Sequence, residues 1–200
     1  HDIAVLLDVV VNHKMGADEK ETVHVRRVNA DDRTQIEDEA FEALAYTRFT
    51  FPGRGGAHSK FVWDQKCFSG VDVTENPNES GIFRLVNEYG EGEWNDEVDD
   101  ELGNFDYLMG ADVEFRNKAV HEELKYWGRW LFEQVRVDGF RPDAAKYIPA
   151  GFFRDWVRHP RESVQENLFV APEHAVSDMG MLQSYPDRVA HHPHAFDLPL

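Results

Sequence analysis

Two hundred residues, 42% of them hydrophobic, are enough to bury a core, so the chain is globular, of one or two domains, and not disordered. A formal net charge of -17, from 38 Asp and Glu against 21 Lys and Arg scattered without a stripe, argues against nucleic acid and anionic membrane as partners. The same acidity suits a neutral substrate or a bound cation, and a solvated acidic face explains it more simply than a salt-adapted source.

Ile3 to Val11 reads IAVLLDVVV, a β-branched run that is apolar on both faces except for Asp8. That predicts a fully covered parallel strand, ending at Asn12-His13. From Lys14 to about Gly110, charges, glycines and aromatics mix without sustained period. Turn signals recur at Phe51-Pro52-Gly53-Arg54-Gly55-Gly56, Asn76-Pro77-Asn78 and Tyr89-Gly90-Glu91-Gly92. The stretch is too long for a loop and is expected to form a small irregular or β-rich domain. Within it, Ile36, Ala40, Ala43, Leu44 and Tyr46 predict a modest helical stripe over residues 31–47. Cys67 is the only cysteine, so no internal disulfide is possible; it reads as a small buried or half-buried hydrophobe and not as a nucleophile.

A clearer helix is expected from about Lys118 to Gln134, with Val120, Leu124, Trp127 and Leu131 on its dry side and Asn117 as N-cap. Val137 to Tyr147, VDGFRPDAAKY, starts apolar and delivers Arg141, Asp143 and Lys146 within six residues, as a buried strand does at the open end of a parallel sheet. A helix from Phe152 to about Val157 is expected to be cut short near Pro160. The strand Leu168–Ala171 then leads to Glu173, a helix over Asp178–Tyr185 follows, and Ala195–Leu198 opens another strand. This alternation is the rhythm of a parallel β/α barrel or open sheet. Four strands cannot close a barrel, so about half of a barrel would be missing, and His1-Asp2 running into a strand without a starting Met reads as an excerpt whose true N-terminus lies elsewhere. No apolar run reaches membrane-spanning length and no signal peptide opens it.

Asp143 and Glu173 each end a predicted strand, and the two strands are consecutive, hence near neighbours in a right-handed βαβ unit. With strands about 4.8 Å apart, the two carboxyls can face each other across the roughly 5 to 5.5 Å that retaining glycosidases use. Helix caps and salt bridges also put carboxylates at strand ends, so spacing alone leaves both readings open.

DVVVNH at Asp8–His13, GFRPDAAKY at Gly139–Tyr147, VAPE at Val170–Glu173 and FDLPL at Phe196–Leu200 resemble, in order, the signature segments of the alpha-amylase family of glycoside hydrolases. The middle, from ALAYTRFTFPGR through FVWDQKCFSGVD to DDELGNFDYLMGADVEF, resembles the inserted domain of its cytoplasmic bacterial members. The resemblance implies a partial (β/α)8 barrel in three parts: residues 1–13 as barrel strand, 14–110 as inserted domain and 111–200 as continued barrel. It implies endo-hydrolysis of α-1,4-glucosidic bonds with retention and a cytoplasmic location, with secretion left open. It makes Asp143 the nucleophile, Glu173 the general acid/base and Arg141 the cation that holds the nucleophile ionised. His13, Lys146 and Tyr147 become sugar contacts. Asn12, Asp106 and Asp112, with the backbone carbonyl of Tyr147, become ligands of a calcium ion, an all-oxygen set suited to a hard cation.

The sequence departs from the family in places. Pro142 stands where Leu is usual before the nucleophile and is expected to strain or displace the backbone there. His174-Ala175 replaces an aromatic pair after the acid, Tyr147 replaces a histidine, and Ser69, Asn95 and Arg116 replace acids around a further metal cluster. The family's third carboxylate is expected beyond Leu200. These departures keep open a non-catalytic relative that uses the barrel for binding or assembly.

Other motifs carry weaker chemistry. His191, His192 and His194 lie beside Pro193 without a carboxylate or cysteine at ligand spacing. The Gly53–Gly56 loop lacks the strand and helix that a phosphate cradle needs. Phe49, Phe51, Phe61, Trp63 and Phe83 read as core of the small domain before they read as sugar platforms.

Overall fold

The structure, a computed structural model, describes residues 3–176 and 179–189. The chain divides into two units, His1–Asn12 with Leu124–Leu200, and His13–Glu123. Among the described residues the strands are β1 (Leu6–Val9), β2 (His13–Lys14), β3 (Glu19–Val28), β4 (Phe41–Arg48), β5 (Phe68–Thr74), β6 (Glu79–Leu85), β7 (Ala111–Val113), β8 (Gly139–Pro142) and β9 (Phe169–Val170). The α-helices are α1 (Lys118–Val135), α2 (Ala150–Ser163) and α3 (Met179–Arg188). No helix among the described residues is long and apolar enough to cross a membrane.

The unit His13–Glu123 is built on a six-stranded antiparallel sheet in the order β2-β7-β5-β6-β3-β4. Its core follows the period of two that a sheet imposes: Val23 and Val25 of β3 are buried, and their partners in register are Ala43 and Phe41 of β4. Phe68 lies against Phe49 and Trp63, with ring centroids 5.7 and 5.8 Å apart. Phe49, Trp63 and Phe83 are therefore core, while Phe51 and Phe61 are half-buried beside them. Gly70 is required by close approach, because a Cβ there would stand 2.7 Å from Cζ3 of Trp94. Cys67 is buried, and burial pushes its thiol up to about 12, out of reach of nucleophilic chemistry.

The helical stripe expected over residues 31–47 is not present. Residues 41–48 form β4, in which Ala43, Ala45 and Thr47 point inward while Glu42 and Tyr46 are exposed. The stripe used Ala40, Ala43 and Leu44, but the burial that decides the conformation falls on alternate residues, and pairing with β3 overrides local propensity.

In the other unit, β1, β8 and β9 form a parallel sheet with β8 central. Phe140 of β8 is fully buried, packing edge-on against Phe132 of α1 at 5.8 Å and against Trp156 of α2 at 5.6 Å. Asn117 caps α1, its side-chain oxygen accepting from the Ala119 amide at 3.0 Å. The indole N–H of Trp156 donates to the Leu124 carbonyl at 3.0 Å, and its ring lies on Gly128, where a Cβ would sit 2.9 Å from Cζ2.

Two further expectations are corrected. α2 is not cut short at Pro160 but runs to Ser163, with the Val164 amide donating to the Pro160 carbonyl. Its buried face of Phe152, Phe153, Trp156 and Val157 offsets the one helical hydrogen bond that proline removes. β1 is not covered on both faces either: Val9 and Val11 are buried, whereas Ile3, Val5, Leu6 and Val10 are exposed. The strand expected at Ala195–Leu198 and the three histidines at 191, 192 and 194 lie outside the described residues.

Candidate active site

β8 ends at Pro142 and the next residue is Asp143, whose amide donates to the Val9 carbonyl at 2.8 Å. On the other side of β8, the Glu173 amide donates to the Pro142 carbonyl at 2.9 Å, three residues past the end of β9. The parallel ladder thus carries both acidic residues to the same end of the sheet. Pro142 does not displace the backbone, which corrects the expectation: it is the last residue of its strand and keeps its register with Val9. The unusual conformation falls two residues later, at Ala144, with φ 52 and ψ 37.

That left-handed residue is held by the acid. The Ala144 amide donates to Glu173 Oε2 at 3.3 Å, and the Ala145 amide to the Glu173 carbonyl at 3.0 Å. Between the two carboxyls lies Arg141. Its Nη1 donates to Asp143 Oδ1 at 2.7 Å, and its Nη2 is 2.8 Å from Glu173 Oε1. One planar guanidinium therefore bridges the pair, so that Asp143 and Glu173 face one space. The side chains of Arg141, Asp143 and Glu173 are 26%, 24% and 34% exposed, sheltered yet reachable by a ligand.

Arg141 has a further partner that the sequence reading gave no role. Asp8 Oδ1 accepts from the same Nη1 at 2.7 Å, and Asp8 stands opposite Arg141 in the β1–β8 register. The hydrogen bond to Asp8 is the largest cause that raises the guanidinium above its ordinary value, followed in the same direction by that to Asp143. The signal was in the sequence: Asp8 is the one charged residue in an apolar strand.

The remaining expected residues fall in different places. Lys146 is buried, its ammonium donating to the Ala175 carbonyl at 3.3 Å, so it braces the segment after Glu173. Tyr147 is half-buried and closes a short 3-10 turn, Ala145–Tyr147. His174 is buried and stacks on Tyr185 at 4.0 Å and 17°, while Ala175 is exposed.

In the other unit, His13 of β2 pairs with Asp112 of β7. Asp112 is buried and accepts from the Ser69 hydroxyl at 2.6 Å. Asp106 is fully buried, and its Oδ2 accepts from the Asn95 amide at 2.9 Å and the Asn95 side chain at 2.8 Å. Its Oδ1 accepts no hydrogen bond among the described residues, and burial pushes its carboxyl up to about 7. A buried carboxylate oxygen with no donor fits a hard cation, whose charge would offset the desolvation. Arg116 pairs with the buried Glu114 at 2.7 Å. Asn12, which belongs with Tyr147 to the first unit, is also fully buried. No group of three or more His, Cys, Asp or Glu among the described residues is placed to hold a metal, and the expected calcium set, with two carboxylates, one amide and one carbonyl, does not require one. The Gly53–Gly56 loop forms a short 3-10 turn with Arg54 over the Phe51 ring at 3.9 Å.

The chain is 59% identical over 201 residues to a cytoplasmic alpha-amylase of Escherichia coli, covering all of this chain and 40% of that protein. It is 39% identical over 199 residues to an alpha-amylase of Bacillus licheniformis, and 40% identical over 198 residues to a glucan 1,4-alpha-maltohexaosidase of a Bacillus species, spanning 38% of each. The chain thus spans about two fifths of the length of these relatives. Among solved structures, an alpha-amylase of Geobacillus thermoleovorans complexed with acarbose matches with a TM-score of 0.42 and 21% identity, over 46% of this chain and 20% of that one. The family model for the alpha-amylase catalytic domain matches residues 1–194, and the chain belongs to the alpha-amylase family.

Proposed function

We propose that the full-length protein carrying this chain is an alpha-amylase that hydrolyses internal α-1,4-glucosidic bonds of starch-like or glycogen-like glucans with retention of configuration. The observation that carries this reading is the single guanidinium of Arg141 shared by the carboxyls of Asp143 and Glu173. Two acids gripping one planar group are close enough to work on one sugar from opposite sides. Asp143 attacks the anomeric carbon while Glu173 gives its proton to the leaving glycosidic oxygen. Glu173 then takes a proton from water, whose oxygen displaces Asp143 and restores the starting configuration. Arg141 orients the Asp143 carboxylate by donating to its Oδ1, and Lys146 and Tyr147 serve the sugar subsites, Lys146 by bracing the Glu173 segment.

The names of the relatives support a glucan substrate and a cytoplasmic location. In this reading β1, β8 and β9 are consecutive strands of a (β/α)8 barrel, and residues 14–110 are a domain inserted after the first of them. Calcium, where bound, would take the Asp106 and Asp112 carboxylates as hard oxygen ligands and would supply structural stabilisation. The orphaned oxygen of Asp106 favours that assignment.

The test is Asp143→Asn in the full-length protein on soluble starch. Turnover of the variant is expected to fall by more than about a thousandfold with the melting temperature unchanged, while the wild-type protein is expected to release fresh product as the α-anomer by polarimetry. Substantial residual activity removes Asp143 as nucleophile. A folded wild-type protein that releases no reducing ends favours a non-catalytic carbohydrate-binding or assembly role.

A further inference from the structure

Asp8 has no task in the mechanism above, yet it touches the centre of the site. Its position is fixed by backbone register: it lies opposite Arg141 across β1 and β8, so the two side chains leave the sheet on the same face. The geometry at Arg141 Nη1 is a competition, because that nitrogen carries two N–H groups and serves two acceptors, Asp8 Oδ1 and Asp143 Oδ1, each at 2.7 Å. Nη2 turns to Glu173 Oε1 at 2.8 Å.

An arginine beside one carboxylate ordinarily closes on it with both prongs, engaging both oxygens. Here Arg141 reaches Asp143 through Oδ1, while its second prong is spent on Glu173. We propose that Asp8 is a positioning residue: by taking one N–H of Arg141 Nη1, it stops the guanidinium from folding bidentately onto Asp143, leaving Asp143 Oδ2 outside the fork and Glu173 within it. The Asp8 side chain is 62% exposed, so solvent screens its charge, and its contribution is the direction of a hydrogen bond more than a field. The inference rests on the reading of Asp143 and Glu173 as nucleophile and acid, and it adds the residue that sets how Arg141 divides itself between them.

The experiment compares Asp8→Ala and Asp8→Asn with the wild-type full-length protein on soluble starch, recording kcat, KM and melting temperature. Asp8→Ala is expected to lower kcat about 10- to 100-fold, since small misplacements of reacting groups cost factors of this size, with KM within about threefold of wild type. Its melting temperature should move by no more than about 2 °C, as befits an exposed side chain. Asn keeps a neutral acceptor in the same place, so Asp8→Asn should recover most of the lost kcat. An Asp8→Ala protein with wild-type kcat overturns the inference, and so does a loss of kcat that tracks a fall in melting temperature and is not rescued by Asn. A wild-type protein inactive on starch overturns the functional reading instead, so the two failures are told apart.

Discussion

Ala144 follows Asp143 with φ 52 and ψ 37, a conformation that an L residue adopts at a cost of roughly 1 to 2 kcal/mol. It is held there because its amide meets Glu173 Oε2 and the next amide meets the Glu173 carbonyl. Strain is thus stored one residue after the proposed nucleophile and offset by contacts to the proposed acid. Glycine takes the same conformation freely but loses more chain entropy on folding, so the two effects partly cancel. Ala144→Gly is expected to stabilise the protein by about 0.5 to 1 kcal/mol in denaturant unfolding; a less stable variant would mean that no strain resides there. Residues at strand ends were legible in the sequence because an apolar run that stops at an acid needs no tertiary knowledge to be noticed. Asp143 and Glu173 are of this kind. Asp8 was visible as a lone charge but not as a ligand of Arg141, because its role depends on which strand lies beside it and in which register. The conformation of Ala144 left no trace at all, since alanine carries no turn signature.

At the scale of the element, the helices and strands behave as burial dictates, and where propensity and burial conflict burial prevails. β4 is the plain case: its alanines suit a helix, but Ala43, Ala45 and Thr47 are buried on alternate positions and the segment is a strand. α2 is another, since Pro160 sits inside it and the helix continues because four large side chains hold its inner face. Gly128 in α1 sets the same two effects against each other. In an exposed helix, Gly→Ala gains about 1 kcal/mol from propensity. Here the new methyl would stand 2.9 Å from the Trp156 ring, whose N–H is anchored on Leu124, so the ring cannot withdraw without giving up that bond. Overpacking of this kind costs about 1 to 3 kcal/mol and should exceed the propensity gain. Gly128→Ala is therefore expected to lower stability by about 1 to 2 kcal/mol in urea unfolding, and a stabilised variant would show that α1 and α2 have room to part.

For the molecule as a whole, the question is what offsets the burial of carboxylates in a chain with formal charge -17. Two of the buried acids find answers in their own neighbourhood: Glu114 has Arg116, and Asp112 has the Ser69 hydroxyl. Asp106 is only half answered, with Asn95 on Oδ2 and no hydrogen-bond partner among the described residues on the buried Oδ1. Asp106 and Asp112, both proposed as calcium ligands, belong to the same unit, and an ion held by these carboxylates would favour its folded state over the unfolded one. Binding to the native state alone stabilises by an amount that grows with the logarithm of ligand concentration over its dissociation constant, about 2.7 kcal/mol at a hundredfold excess. Chelation of the full-length protein should accordingly lower its melting temperature by several degrees, about 2 to 4 °C per kcal/mol lost for a domain near this size, with recovery on adding calcium. Asp106→Asn removes the charge that makes burial costly and weakens the cation's hold at once. The variant should therefore melt at nearly the same temperature with and without chelator, and a wild-type melting temperature indifferent to chelation would leave the orphaned oxygen of Asp106 as a cost that no calcium ion offsets.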